Sequence, residues 1–336
     1  MSLDKYDIAQ VTQTENIHHS FEKSISEKIP FLVFRIPGRD ITMANTEVKT
    51  DFVIKPWNGA AFSIGSINPY ETPSFPAETS KAEYEEAFKK YTEAFRSNGL
   101  KKAILSTVIR EEKPPEFDPI GFFLRLCESY PTAFAYLLYH PNTGMWCGAT
   151  PEILLEGRYE HFTTVALAGT QSTKPSQEYD WGEKEKEEQE LVSQHIRSIL
   201  KKAGAMNLKE SAPYSSQAAD VVHLKTDFRF DYRHEVTSLL ERLHPTPAVA
   251  GLPTANSIEL INAVEKHDRG LYTGYLGLLG EKETHVFVNL RCMQIGDKEL
   301  ALYVGGGITA KSDVHAEWEE TRLKAKTLLN LLKSTT

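Results

Sequence analysis

The stretch from Ala133 to Gly148 restricts the possible folds of this chain more than any other. An apolar run, Ala133 to Tyr139, meets a Pro141-Asn142-Thr143-Gly144 turn and then a second run, Met145 to Gly148. Two short β-prone runs joined by so tight a turn make an antiparallel hairpin, because parallel neighbours need a long crossover. The segment from Tyr272 to Val304 repeats the pattern and reads as three or four antiparallel strands. Further strands are expected at Phe31 to Ile36, Phe52 to Ile54, Ala60 to Ile64, Lys102 to Arg110, Ile153 to Leu155, Phe162 to Leu167 and Val221 to Phe230. Helices interrupt these runs. Ser80-Lys81-Ala82-Glu83 has the form of a capping box, and Tyr84, Ala87, Phe88, Tyr91 and Phe95 then recur at helical spacing until Asn98-Gly99. Others are expected at Pro119 to Tyr130, Asp180 to Ala203, on both sides of a proline-rich loop at His244 to Pro253, and from Asp313 almost to the end. Hairpins rather than regular βαβ alternation give an α+β fold, and no linker divides residues 1–336, so one domain is expected.

Charge and cysteine content exclude several classes. Forty-six acidic residues face 38 basic ones, for a formal net charge of -8, which is not the footprint of a nucleic-acid binder. Cys127, Cys147 and Cys292 have no metal-binding spacing, and no window is apolar enough for a membrane span. With a polar stretch from Met1 to Ser20, the reading is a cytoplasmic protein that engages neither nucleic acid nor membrane.

Two Glu-x-x-Glu pairs carry the first hint of chemistry. Glu185 and Glu188 share one face of the Asp180 helix, and Glu317 and Glu320 share one face of the last helix with Lys324. Crowded carboxylates repel one another unless a cation sits among them, and Mg²⁺ takes such oxygen ligands. The alternative is a pair of solvated faces, since Glu183, Glu187 and Glu190 make the first helix acidic all round. Gly305-Gly306-Gly307 follows an apolar run and reads as either a tight turn or an anion-binding nest. It is neither GxGxxG nor a Walker loop. Arg291 ends a strand and could grip a carboxylate or simply pair at the surface.

Taken together, these pieces resemble one family. Gly148-Ala149-Thr150-Pro151-Glu152, Leu167-Ala168-Gly169-Thr170, the Glu185/Glu188 helix and His244-Pro245-Thr246-Pro247-Ala248 are similar to the chorismate-utilising enzymes. So are Asp268-Arg269-Gly270, Gly305-Gly306-Gly307-Ile308 and Glu317-Trp318-Glu319-Glu320-Thr321. The order holds from about Lys102 to Lys333, while the first hundred residues carry little of it. The resemblance implies two large, mostly antiparallel sheets packed as a core with helices outside. It implies Mg²⁺ held by Glu188 and Glu320 with Glu185 and Glu317 in support. It also implies chorismate bound by Gly169, Thr170, His244, Ala248, Arg291, Gly305, Gly306, Gly307 and Lys324.

Members of the family differ in their nucleophile, and this chain resembles those that add water. They carry a lysine base in a Lys-x-x-Leu context, matched by Lys102-Ala103-Ile104-Leu105, and an acid matched by Glu152. The implied reaction is a reversible conversion of chorismate to isochorismate. Lys102 deprotonates the water that attacks C2, and Glu152 protonates the departing 4-hydroxyl. Aminating members place a lysine where this chain has Ala168, so no glutamine amidotransferase partner is expected, and the chain is expected to act as a monomer. A salicylate synthase, which also eliminates pyruvate, and a non-catalytic partner subunit of the same fold are the alternatives. Thr107 departs from the family's usual arginine, Thr150 from its serine, and Gln171 from a small residue.

Overall fold

A computed structural model describes residues 9–10, 14–44, 51–65, 74–97, 99–173, 178–218 and 221–333. Its strands form two nine-stranded sheets in which every neighbouring pair is antiparallel. The first sheet runs, edge to edge, through Ala9–Gln10, Ile41–Ala44, Phe31–Arg35, Phe134–His140, Gly144–Thr150, Cys292–Ile295, Glu299–Ile308, Lys102–Glu112 and Gly251–Leu252. The second runs through Met206–Glu210, Val221–Asp231, His161–Ser172, Ile153–Arg158, Glu283–Val288, Tyr275–Leu279, Phe52–Lys55 and Phe62–Ser63, with Tyr214–Ala218 also paired to Val221–Asp231. The α+β architecture expected from the hairpins is the one observed.

The sheets pack face to face, and helices cover their outer sides. Phe34, Phe134, Tyr136, Trp146 and Tyr303 from the first sheet meet Phe52, Ile54, Leu276 and Phe287 from the second in one buried cluster. The first sheet is buried on both faces, which is why Phe31–Arg35 reads as a continuous apolar run rather than an alternating one. Leu32 and Phe34 enter the space between the sheets, while Phe31 and Val33 meet the helices Pro119–Ser129 and Val314–Lys333. Helices Glu183–Ala203 and Val236–Leu243 cover the second sheet through Val192, Ile196, Leu200, Leu239 and Leu240.

Local signals account for several boundaries. Glu83 N–H donates to Ser80 Oγ at 3.2 Å and Ser80 N–H to Glu83 Oε2 at 3.0 Å, closing the capping box of helix Lys81–Ser97. Asp118 caps Pro119–Ser129 by accepting from the N–H groups of Ile120 and Gly121. In the hairpin turn, Thr143 N–H donates to the His140 carbonyl, and Gly144 takes a positive φ of 73°. The strand expected to end at Leu167 runs on to Ser172; residues 174–177 lie outside those described. Among the described residues no helix is long and apolar enough to cross a membrane, and all three cysteines are buried free thiols.

Candidate active site

The antiparallel pairing of Lys102–Glu112 with Glu299–Ile308 builds the floor of a cavity of about 490 Å³. Register places Gly305 opposite Ser106, Gly306 opposite Leu105 and Gly307 opposite Ile104. The glycine triplet is therefore the end of a strand, not a turn. Glycine is needed there for space: a Cβ on Gly307 would sit 2.5 Å from Lys102 Cε, and one on Gly306 would sit 3.1 Å from Glu317 Oε2. The Lys102 side chain lies over this bare backbone and reaches Glu188 Oε1 at 2.6 Å, leaving it 14% exposed.

The two acidic helices meet across the same cavity. Glu185 and Glu188 enter from Glu183–Ala203, and Glu317, Glu320 and Lys324 from Val314–Lys333; all five line it. Lys324 Nζ pairs with Glu320 Oε1 at 2.7 Å and donates to the Gly305 carbonyl at 2.8 Å. Ser312 Oγ donates to Glu317 Oε1 at 2.7 Å. Glu185 packs beside Gly169, whose φ of +64° would strain any side chain and where a Cβ would meet Trp181 and Glu185 at 3.1 to 3.3 Å. The glutamates line this cavity rather than an open helix face, although the Glu320 side chain stays 41% exposed. Among the described residues, however, no three carboxylate, imidazole or thiolate side chains are gathered into a ready-made cation cage. Glu188 and Glu320 each hold a lysine instead.

Glu152 lines the opposite part of the cavity, with its carbonyl accepting from the Val288 N–H. Burial pushes its carboxyl up to about 7, against the charges of Lys102 and Lys324, which pull it down. Arg291 and Ala248 line the cavity as well, and Arg291 carries a left-handed φ of 48° that turns the chain out of the Glu283–Val288 strand. Thr170 follows Gly169 in the strand His161–Ser172.

One expected residue stands apart. His244 is buried beneath the proline-rich loop, with its Nε2 2.8 Å from the Thr273 carbonyl and its ring edge-on to Tyr275. It lines a separate cavity of about 140 Å³ with Lys55 and Trp57. Its short loop still serves the main cavity, through Ala248 and Val249. The departure at Thr107 proves remote from the base, because odd and even positions of a strand face opposite ways. Thr107 meets Arg322 of the last helix at 3.4 Å.

Four of the lining residues that were not anticipated carry polar or aromatic groups toward the main site. His223 and Lys225 project from the strand Val221–Asp231 on the face opposite Val222 and Leu224, so alternation was the available signal. His223 Nδ1 lies 3.0 Å from the Gly169 carbonyl, and burial holds the imidazole below its ordinary range. Tyr272 and Tyr303 stack with ring centroids 5.7 Å apart and form an aromatic wall. Around the cavity, five carboxylates (Glu152, Glu185, Glu188, Glu317, Glu320) face four cations (Lys102, Lys225, Arg291, Lys324).

Comparison with known proteins gives a consistent result. The family model described as chorismate binding enzyme matches residues 64–333. The isochorismate synthase EntC of Escherichia coli strain K12 is 27% identical over 277 residues, 79% of this chain and 70% of that protein. Isochorismate synthase 2, chloroplastic, of Arabidopsis thaliana is 31% identical over 238 residues, 67% of this chain and 42% of the plant protein. Among solved structures, MenF, the menaquinone-specific isochorismate synthase of Escherichia coli, superimposes with a TM-score of 0.77 at 20% identity. The match covers 91% of this chain and 89% of that one, a likeness of fold.

Proposed function

The chain belongs to the chorismate-binding enzyme family, and on that footing we propose that it is an isochorismate synthase acting as one catalytic domain. The observation that carries this reading is the pairing of Lys102 and Glu152 in one cavity, with the carboxyl held near 7. Raised by burial, the Glu152 carboxyl can hold at neutral pH the proton that a departing hydroxyl needs. Lys102 supplies the complementary group: once released from Glu188 and deprotonated, its neutral amine takes a proton from the water that adds at C2 of chorismate, while Glu152 gives its proton to the departing 4-hydroxyl. The product is an isomer, so neither an oxidant nor a nucleotide is consumed.

The binding groups follow the substrate's charges. Chorismate is a dianion, and Arg291 and Lys324 are suited to its carboxylates, with the backbone of Gly305, Gly306 and Gly169 close enough to orient them. With Glu152 protonated, the other four carboxylates offset the four cations, which leaves nothing to balance a dianion. A divalent cation resolves this, and the all-oxygen donor set of Glu185, Glu188, Glu317 and Glu320 suits Mg²⁺. Such a cation would be held by these glutamates in competition with Lys102 and Lys324, which now pair with Glu188 and Glu320, and would supply positive charge toward a substrate carboxylate. Ammonia has no part in this chemistry, so the enzyme acts without an amidotransferase subunit.

The test is the product formed from chorismate and Mg²⁺ by the purified protein, separated by chromatography. Isochorismate in equilibrium with chorismate, lost on chelation, is the expected result. Salicylate with pyruvate would move the enzyme to the lyase branch, and bound but unconverted chorismate would make the chain a partner subunit.

A further inference from the structure

We infer that Arg269 and Glu265 are positioning residues for this reaction: a buried ion pair that stands in for a missing strand and sets the place of Lys102. The inference rests on the function proposed above. It starts from an edge. The strand Lys102–Glu112 pairs along one side with Glu299–Ile308, but on its other side Gly251–Leu252 faces only Ala103 and Lys102, with one further bond from the Ile104 N–H to the Ala250 carbonyl at 2.9 Å. Beyond that point no strand pairs with it, which leaves an edge that Thr79 closes only at Val108 and the Tyr91 hydroxyl only in part, donating to the Ile104 carbonyl at 3.1 Å.

Arg269 and Glu265 relieve it. Arg269 is 1% exposed, and its guanidinium grips Glu265 through two hydrogen bonds, Nη2 to Oε1 at 2.7 Å and Nε to Oε2 at 2.8 Å. The same Nη2 donates to the Ile104 carbonyl at 2.9 Å, and Glu265 Oε1 accepts from the Ser106 N–H at 2.7 Å. The pair therefore presents one donor and one acceptor at the spacing a neighbouring strand would have offered. Nη1 extends the brace to the Val249 carbonyl at 3.0 Å and Thr273 Oγ1 at 3.3 Å. Ile104, Val249 and Thr273 all line the active-site cavity, whereas neither member of the ion pair does. Three separate parts of the wall are thus tied to one guanidinium plane, stacked on Trp57 at 4.4 Å.

Lysine cannot replace this arginine, because a single ammonium lacks the planar fork that serves Glu265, Ile104 and Val249 together. The consequence falls on Lys102, two residues along the strand from Ile104 and already in close contact with Gly307. A shift of about 1 Å in such a group is enough to lower turnover about 100-fold without removing any contact to substrate.

The test uses the full-length protein with Arg269→Lys and, because a lone buried charge can unfold a protein, the neutral pair Arg269→Gln with Glu265→Gln. Three readings are taken on each: kcat and KM for chorismate, melting temperature, and amide hydrogen exchange over residues 102–106 and 249–251. The expected result is a kcat lowered about 100-fold, a KM within about threefold of the parent, and faster exchange confined to those two segments in protein that is still folded. Unchanged kcat in either folded variant overturns the inference, as does a loss of activity matched by the fraction unfolded. If the parent itself leaves chorismate unconverted, the proposed function fails, and exchange at residues 102–106 still decides whether the brace holds the strand.

Discussion

Lys102 and Glu188, 86 residues apart in the chain, meet across the active-site cavity with Nζ 2.6 Å from Oε1. The proposed base is thus bound to a proposed metal ligand, and the ammonium occupies charge space that a divalent cation would take. Replacing Lys102 with Ala is expected to abolish turnover, by roughly 100- to 10,000-fold, and at the same time to tighten Mg²⁺ binding. A gain of about fivefold, roughly 1 kcal/mol, is the scale for releasing a partly exposed pair. Calorimetric titration of the free protein with MgCl₂ measures it without substrate. Weaker binding in the variant would mean that Lys102 assists the cation site rather than competing for it.

Glu152 gives a prediction with opposite signs for activity and stability. Its carboxyl is raised to about 7 by burial, so kcat/KM should fall as pH rises through that value and the acid loses its proton. Because the folded pKa lies above the unfolded one, the stability linked to this proton is complete below about 4.5 and is lost as pH rises through 7. Glu152→Gln removes the loss. The variant should be 100-fold or more less active, yet more stable than the parent at pH 8, by on the order of 2 kcal/mol, with little difference at pH 4. Denaturant melts at the two pH values decide; an equal offset at both would place the ionisation elsewhere.

The hairpins and helix caps were legible because each depends on a few adjacent residues. Pro141 to Gly144 and Ser80 to Glu83 form the turn and the capping box that their types imply. Strands Met206–Glu210 and Tyr214–Ala218 escaped notice, since they lie at a sheet margin with mostly exposed, polar side chains that leave no apolar alternation. Spacing put Glu185 beside Glu188 and Glu317 beside Glu320, but only the family resemblance brought the two helices together. The glycine triplet was misplaced for a physical reason. Three glycines weaken a strand, so a turn is the natural reading; here the strand gives up side chains to admit Lys102, Tyr272 and Glu317.

That cost can be measured at Gly307. Its backbone conformation admits any residue, so alanine adds no strain beyond contact, and the added methyl meets Lys102 Cε at 2.5 Å. Lys102 must move aside. Gly307→Ala should lower kcat by about 10- to 100-fold in a protein with a native circular dichroism spectrum. Gly306→Ala brings its methyl to 3.1 Å from Glu317 Oε2, and its effect should appear as weaker Mg²⁺ binding with a smaller change in kcat at saturating metal. Equal effects of both substitutions on kcat would argue against a specific role for the space above Gly307.

His244 belongs to the family's signature but lines a cavity separate from the one that holds Lys102 and Glu152. Its imidazole is buried away from the main cavity and hydrogen-bonded to the Thr273 carbonyl. Burial lowers its pKa to about 4, with the Thr273 hydrogen bond opposing the shift and the charge of Lys55 adding to it. A histidine depressed in the folded state binds its proton more readily when unfolded, so stability should fall as pH drops from about 6.5 toward 4. The scale is on the order of 3 kcal/mol over that window. His244→Gln keeps a donor for the carbonyl but cannot titrate. It should flatten this part of the pH–stability curve while leaving kcat within about threefold of the parent. Urea melts from pH 7 to 4.5, paired with turnover at pH 7.5, give both readings. A large loss of kcat with the pH slope intact would return His244 to the reaction; the opposite pattern makes it the pin that holds the proline-rich loop against Thr273, whose hydroxyl side already belongs to the Arg269 brace.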